Sequence, residues 1–158
     1  MNLEYFQLVT GVDELDMEKK RIVAYGEVPE HSTIFEGHFP GYPIMPGVLL
    51  TEAMAQTSGY LLLALNGFKE MPFLAAIKQA KLRHFVEPKT RIQIEATFEH
   101  QSAGFAGTRA RITMPEGRVA DAELRFRTLP FPSEGIEKMV VDFATKVGLM
   151  DLVKKPVE

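Results

Sequence analysis

Residues 35–65, FEGHFPGYPIMPGVLLTEAMAQTSGYLLLAL, decide the fold of this chain. They divide into a loop over residues 37–47 and an apolar run over residues 48–65. The loop contains three prolines and three glycines, a composition that neither continues a helix nor pairs inside a sheet. Because prolines stiffen the loop, we expect its single histidine, His38, to be held in place.

The apolar run over residues 48–65 predicts one long helix. Pro46 suits the start of a helix because its φ is fixed and its missing N–H is not needed there. The Asn-Gly pair that follows the run can close the helix in a left-handed conformation. Apolar residues fall on every face of this helix, which is typical of a buried helix. Because Glu52 and Gln56 interrupt the run, neither apolar segment is long enough to predict a membrane span.

The predicted helix carries one carboxyl group, that of Glu52. Burial of a carboxyl group favours its protonated form, and Gln56 lies one turn later on the same face, where it can hydrogen-bond Glu52. Gly47 lies at the helix N-terminus, where backbone N–H groups and the helix dipole favour negative charge. Together with His38, these residues supply an imidazole, a carboxyl group and an anion-stabilising helix end. This combination suits the removal of a proton next to a carbonyl group.

Composition indicates an ordinary globular chain. With 158 residues, 46% hydrophobic and 25% charged, it has the size and composition of one domain with a real core. The net charge of -3 argues against nucleic acid as the main partner. The absence of cysteine excludes disulfides and thiolate metal sites and is compatible with a reducing compartment. The first residues show no secretory signal pattern, so we expect a cytoplasmic protein.

Strand-like patterns recur on both sides of the helix, at residues 20–28, 73–85, 91–98, 105–114 and 119–128. Residues 1–18 are weakly patterned and predict only a short helix or strand. Ser32 can cap a short turn that precedes the loop. One buried helix among strands favours an α+β domain in which an antiparallel sheet wraps the helix.

The C-terminal part of the chain departs from the strand pattern. Pro130 and Pro132 break the sheet, Ser133 is a plausible N-cap, and an amphipathic helix is predicted over about residues 134–147. We therefore assign residues 1–130 to one domain and residues 131–158 to a helical extension. The apolar stripe of that helix suits packing on its own sheet or on a dimer partner, and a docking surface for another protein is the alternative.

The segment GHFPGYPIMPGVLLTEAMAQ resembles the active-site signature of the 3-hydroxyacyl-[acyl-carrier-protein] dehydratases of fatty acid synthesis. The later segments KQAKLRHFVEP and GRVADAELRF are similar to strands of that family, so the resemblance covers roughly residues 20–128. It implies the hot-dog fold, a long central helix wrapped by a curved antiparallel sheet. It also implies an acyl carrier protein as the partner that bears the substrate, a homodimer as the minimal active unit, which can assemble into a hexamer as a trimer of dimers, and neither a metal nor a cofactor.

The resemblance also implies roles for individual residues. His38 matches the catalytic histidine and Glu52 the catalytic acid, with the two facing each other across the dimer. Gly47 matches the glycine whose N–H holds the thioester oxygen, Gln56 a residue that orients the acid, and Ile44 the carbonyl that accepts a hydrogen bond from the histidine. A related isomerising branch has Asp at the acid position, so Glu52 places the chain with the general dehydratases.

One turn departs from the family pattern. Val86-Glu87-Pro88-Lys89-Thr90 stands where the family often has Val-x-Pro-Gly-Asp. The departure concerns the local turn and partner docking rather than the chemistry at His38 and Glu52.

Further residues are candidates for binding. The apolar acyl channel is predicted to be lined by Phe39, Tyr42, Ile44 and Met45. A basic patch for the acidic carrier protein would comprise Lys78, Lys81, Arg83, Lys89 and Arg91, with a solvated strand face as an equal alternative. The remaining histidines, His31, His84 and His100, have no comparable context, and His31, Glu36 and His38 match no common metal-ligand spacing.

Three other functions stay open at this point. A hot-dog hydratase or dehydratase could act on coenzyme A thioesters, and a hot-dog thioesterase would release a free thiol. A non-catalytic acyl-carrier-binding subunit is the third, although such a module has no need of the acid and base that His38 and Glu52 provide.

Overall fold

The structure, a computed structural model, describes residues 1–154. The last four residues of the predicted extension therefore lie outside the described residues. The elements are β1 (Gly11–Asp16), β2 (Arg21–Glu27), α1 (Thr33–Gly37), α2 (Gly47–Leu65), β3 (Met71–Leu82), β4 (Arg91–Ser102), β5 (Phe105–Met114), β6 (Gly117–Leu129), α3 (Glu134–Lys146) and α4 (Leu149–Val153).

The strands form one six-stranded antiparallel sheet in the order β1-β2-β4-β5-β6-β3. Helix α2 packs along this sheet and contacts five of its strands, β2 to β6. This is the α+β, hot-dog arrangement predicted from the sequence, with a single long helix wrapped by the sheet. Among residues 1–154, strand β3 pairs only with β6 and forms one edge of the sheet. Its residues from Leu74 to Leu82 are exposed in the single chain.

The core lies between α2 and the inner face of the sheet. Large side chains of both elements are fully or almost fully buried there, among them Leu50, Met54, Leu61, Ile22, Ile94, Ile112 and Leu124. Burying a side chain of this size contributes roughly 1.5–3 kcal/mol. One polar contact crosses this interface, a 2.9 Å hydrogen bond from the Thr108 hydroxyl to the Ser58 hydroxyl, and both residues are buried.

The strand and helix predictions are confirmed to within a few residues at their ends. Helix α2 ends at the Asn-Gly pair, where Asn66 is the C-cap and Gly67 has a φ of +67°. Strand β1 and helix α4 were not predicted as elements. Strand β1 has the sequence GVDELD, with little apolar alternation, and lies at a sheet edge where most of its residues stay in contact with solvent.

By length and composition, helix α2 is long and apolar enough to cross a membrane, although Glu52 and Gln56 interrupt its apolar run. Two polar side chains are too few to bring the average hydropathy of a helix so rich in leucine and alanine below the range of membrane-spanning helices. In the structure 67% of this helix segment is buried inside the fold, as in a core helix.

Helix α3 begins as predicted, with the Ser133 hydroxyl accepting a hydrogen bond from the Ile136 N–H at 3.3 Å. Helices α3 and α4 fold back onto the domain. The Val12 N–H donates to the Val147 carbonyl at 2.8 Å, and Leu149 is completely buried in the core. The predicted packing of the amphipathic helix on its own domain is therefore present in the single chain.

Candidate active site

His38 is fixed at the end of helix α1, for which it is the C-cap. Its backbone N–H donates to the Ile34 carbonyl, and its carbonyl accepts from the Ile44 N–H, both at 3.0 Å. The ring Nδ1 lies 2.9 Å from the Ile44 carbonyl oxygen. Because a carbonyl oxygen only accepts, Nδ1 carries the hydrogen in this contact. In the neutral ring, Nε2 therefore keeps the lone pair that can take up a proton.

The rest of the proline-rich loop is folded back on itself. Phe39 and Tyr42 exchange two backbone hydrogen bonds, of 2.9 and 2.8 Å. The Phe39 ring stacks on the imidazole of His38 with the ring centroids 4.1 Å apart. These contacts agree with the expectation that the loop holds its histidine rather than leaving it free.

Gly47 is the first residue of α2, with Pro46 as the N-cap. Its N–H belongs to the first turn, whose N–H groups have no carbonyl partner within the helix. A side chain at this position would run into the end of the Leu82 side chain, which covers the glycine. The missing side chain leaves room for Leu82 beside the N-terminus of α2, an end of the helix that favours negative charge.

Glu52 and Gln56 are joined as the sequence spacing predicted. The Gln56 amide nitrogen donates to a Glu52 carboxyl oxygen at 3.0 Å and to the Phe6 carbonyl at 2.6 Å. The Gln56 amide oxygen accepts from the Leu8 N–H at 3.0 Å. Glu52 is half-buried rather than enclosed by the core, because its face of α2 borders a cavity.

This cavity has a volume of about 340 Å³. It lies between α2, strand β3, helix α3 and the N-terminal turn, which is formed by residues 2–8. Its walls are mainly apolar, with Glu52 and Gln56 on the α2 side. Tyr60 lines it two helical turns beyond Glu52. Burial raises the pKa of the Tyr60 hydroxyl to about 12, because the phenolate form would lose its hydration.

Within one chain, His38 and the residues predicted to line the acyl channel do not border the cavity of Glu52. The side chains of Ile44 and Met45 are buried rather than open to a channel, and Met45 belongs to the hydrophobic core. Phe39 and Tyr42 are 48% and 54% exposed. Phe39 instead borders a second, open cavity of about 370 Å³ with Phe35 and the loop prolines.

The predicted basic patch is divided in the structure. The Arg83 guanidinium pairs with Asp121 at 2.6 Å, and that of Arg91 pairs with Glu27 at 2.9 Å and lies over the Tyr25 ring. Lys89 pairs with Glu30. These three cations neutralise carboxylates of their own chain, whereas Lys78 and Lys81 are exposed on edge strand β3.

The other histidines lie at the surface: His31, His84 and His100 are exposed. Among residues 1–154, the structure contains no group of three or more His, Asp or Glu side chains placed to hold a metal ion.

The geometry defines a hot-dog domain with a fixed histidine and a fixed carboxyl group. Residues 1–123 match the family model described as a FabA-like domain. The chain is 40% identical to the 3-hydroxyacyl-[acyl-carrier-protein] dehydratase FabZ of Clostridium acetobutylicum, over 75% of this chain and 84% of that protein. It is 38% identical to FabZ of Petrotoga mobilis, over the same shares of the two chains. The chain therefore belongs to the FabA-like family of 3-hydroxyacyl-[acyl-carrier-protein] dehydratases.

Solved structures share the fold at low identity. AziG of S. sahachiroi superposes with a TM-score of 0.63 at 16% identity, over 82% of this chain and 96% of that one. The dehydratase heterocomplex ApeI:P of Xenorhabdus doucetiae gives a TM-score of 0.60 at 13% identity, over 76% and 96%. A mutant of the thioesterase SAV0944 of Staphylococcus aureus gives 0.63 at 14% identity, over 81% and 98%. These likenesses support the hot-dog fold.

Several residues around the site were not singled out from the sequence. The N-terminal turn bonds to Gln56 through Phe6 and Leu8, although residues 1–18 carry only a weak pattern. Leu82 covers Gly47 from the distant strand β3. The spacing of Glu52, Gln56 and Gly59 on one helix face was the one local signal that could have indicated the cavity.

Proposed function

We propose that this chain dehydrates (3R)-3-hydroxyacyl thioesters of acyl carrier protein to trans-2-enoyl thioesters in fatty acid biosynthesis. The identity to relatives that carry this activity in their names supports the reaction class. The observation in the structure that carries the proposal is the pair of fixed groups. The His38 ring bonds through Nδ1, which leaves Nε2 for the substrate, and the Glu52 carboxyl group is held by the Gln56 amide. Both residues occupy the positions of the family's active-site motif.

In the proposed reaction, His38 Nε2 takes the proton from C2 of the substrate. The electrons of the C2–H bond form the C2=C3 double bond, and the C3–O bond breaks. Glu52 gives its proton to the departing hydroxyl, so that water leaves. Exchange of protons with solvent then restores neutral His38 and protonated Glu52. General acid–base catalysis by two positioned groups requires this division of roles.

Gly47 is proposed to stabilise the charge that develops on the thioester oxygen. Its N–H at the start of α2 and the helix dipole both favour an oxyanion there. A contact of this class is often worth about 3 kcal/mol of barrier. Gln56 is a positioning residue, since it acts on substrate only through Glu52.

A homodimer is part of the proposal, with the histidine of one subunit facing the acid of the other. Two observations support it: His38 does not border the cavity of Glu52 in one chain, and β3 is a long exposed edge strand. Leu74, Ile77 and Leu82 on that strand are 41%, 49% and 51% exposed, which favours pairing with a second chain. Assembly of three dimers into a hexamer remains a proposal.

The carrier patch, the location and the domain division are also proposals. We propose that Lys78, Lys81 and Arg83 contribute to binding the acidic carrier protein, with the two exposed lysines as the main contributors. We propose a cytoplasmic protein, consistent with the absence of cysteine. Residues 1–130 would form the hot-dog domain and residues 131–158 its extension.

The reaction is tested by measuring enoyl formation from a 3-hydroxyacyl carrier-protein thioester, beside the same acyl group on coenzyme A. His38→Ala and Glu52→Gln are expected to lower turnover at least about 100-fold, as loss of a general acid or base does. His31→Ala and Glu116→Gln are matched controls at exposed positions and are expected to keep wild-type turnover. Free thiol without enoyl product would indicate a thioesterase, and binding without turnover would indicate an acyl-carrier-binding subunit.

The shared site is tested by subunit exchange between the two inactive variants. A mixed dimer of a His38→Ala chain and a Glu52→Gln chain contains one intact His38–Glu52 pair only if the site spans two subunits. Recovered activity on mixing is therefore expected. Failure to recover activity, with subunit exchange demonstrated by mass spectrometry, would contradict a site shared between subunits.

A further inference from the structure

One face of helix α2 connects the proposed acid to the apolar cavity. Glu52, Gln56, Gly59 and Leu63 follow one another at spacings of four, three and four residues, and all line the cavity. This spacing places them along one side of a helix. The polar groups lie towards the N-terminal end of this stripe and Leu63 lies at its far end. A substrate held at Glu52 therefore has an apolar path along α2.

Gly59 keeps that path open. Glycine inside a helix is less favourable than alanine because it loses more conformational freedom. No close approach explains it, since an added Cβ would meet only the Pro72 ring, in ordinary contact at 3.9 Å. The residue has no positive φ that would require glycine. Its effect is to leave space between α2 and β3 at the middle of the cavity.

The opposite wall is supplied by helix α3. Met139, Val140 and Phe143 line the cavity, and so does Val147, the C-cap of α3. All four lie beyond residues 1–123, which match the family model. This wall is fixed to the domain at two places, by the Val12–Val147 backbone bond and by a 3.3 Å hydrogen bond from the Lys146 ammonium to the Gln7 side chain.

We propose that the distal part of the substrate's acyl chain occupies this cavity, and that α3, through Met139 and Phe143, forms the wall that determines which chain lengths are accepted. This inference rests on the proposed function. An acyl chain is the occupant that fits, because the cavity is mainly apolar, is continuous with the proposed acid and has a volume in the range of ligand pockets, about 300–1,000 Å³.

The first test detects the acyl chain at the α3 wall without using turnover. The chain has no cysteine, so Met139→Cys and Lys138→Cys each introduce a single thiol into the full-length protein. Met139 is 41% exposed and lines the cavity, whereas Lys138 is exposed and does not. The rate of alkylation by a maleimide is measured in the presence of 3-hydroxyacyl-pantetheine analogues in which an amide nitrogen replaces the thioester sulfur. Their acyl chains have four, ten or sixteen carbons, and they can bind but contain no thiol and release none.

We expect the rate of alkylation at position 139 to fall at least fivefold with the longer amides and to be unchanged by the four-carbon amide. The rate at position 138 is expected to stay constant throughout. Equal rates at position 139 with every amide would overturn the proposal, and so would equal protection of both positions. This readout is interpretable even if the wild-type protein shows no dehydration.

The second test measures chain-length preference. Gly59→Leu places a side chain in the cavity and is expected to lower kcat/KM at least tenfold more for sixteen-carbon substrates than for four-carbon substrates. Gly135→Leu makes the same change at an exposed position of α3 that does not line the cavity. If the chain-length profile of Gly59→Leu equals that of an active wild-type enzyme, the proposal that the acyl chain occupies the cavity is overturned while the proposed function stands. An inactive wild type overturns the proposed function, and the alkylation result then decides the wall by itself.

Discussion

Gln56 fixes Glu52 through a 3.0 Å hydrogen bond from its amide nitrogen to a carboxyl oxygen. The same amide bonds to the Phe6 carbonyl and the Leu8 N–H, so the orientation of the proposed acid depends on the N-terminal turn. Both amide hydrogens and the amide oxygen have partners, which leaves one arrangement of the group satisfied. The Gln56 side chain therefore connects the N-terminal turn to Glu52, the proposed general acid.

Replacement of Gln56 by leucine is expected to lower kcat more than it changes KM. The variant keeps the size of the side chain but leaves the Phe6 and Leu8 backbone groups without their partner, which costs roughly 1–3 kcal/mol of stability. Steady-state kinetics with a 3-hydroxyacyl carrier-protein thioester and chemical denaturation measure the two effects. Gln101→Leu at an exposed position of β4 is the matched control. Wild-type kcat in Gln56→Leu would contradict its role in positioning Glu52.

Gly47→Ala is expected to disturb the start of α2 by displacing Leu82. The added methyl group collides with the end of that side chain, which can rotate, so the fold should be retained. Displacement of Leu82 and partial cover of the Gly47 N–H should lower kcat at least about tenfold, corresponding to about 1.4 kcal/mol of barrier. The double variant Gly47→Ala/Leu82→Ala relieves the collision. If it restores melting temperature and kcat fully, close approach to Gly47 is not needed for catalysis.

The buried Ser58–Thr108 pair predicts a non-additive effect on stability. Thr108→Val removes one partner and leaves the Ser58 hydroxyl buried without its donor, which should cost roughly 1–3 kcal/mol of unfolding free energy. In the double variant Ser58→Ala/Thr108→Val both polar groups are absent, and the loss should be smaller than the sum of the two single losses. Urea unfolding of the four proteins gives the coupling. Strict additivity would show that the hydrogen bond contributes no coupling.

Tyr60 predicts a loss of stability at alkaline pH. Its pKa is raised by burial from 10.0 to about 12, so the unfolded chain loses this proton at lower pH than the folded chain does. The raised pKa therefore favours folding below pH 10, and this contribution declines as the pH rises from about 10 to about 12. Tyr60→Phe should unfold at higher pH than wild type in circular dichroism. Tyr5→Phe is the exposed control, and an equal shift in both would contradict the burial of Tyr60 as the cause.

The central features of the fold follow from local sequence. The limits of α2 follow from Pro46, the leucine-rich run and the closing Asn-Gly pair, and the observed bounds Gly47–Leu65 agree with them. Strand β5 was predicted at its observed bounds because alternation of apolar and polar residues is a local property. The hydrogen bond between Glu52 and Gln56 was also predictable, because residues four apart on a helix are neighbours.

Tertiary structure alone decided the surroundings of these residues. The hydrogen bonds that join Gln56 to Phe6 and Leu8, and the cover of Gly47 by Leu82, bring together residues 35 to 50 positions apart in the sequence. The cavity beside Glu52 depends on helix α3, which supplies part of its wall. Local patterns predict which face of an element is apolar, but not which distant element packs against it, because that choice depends on the shape and packing of the whole domain.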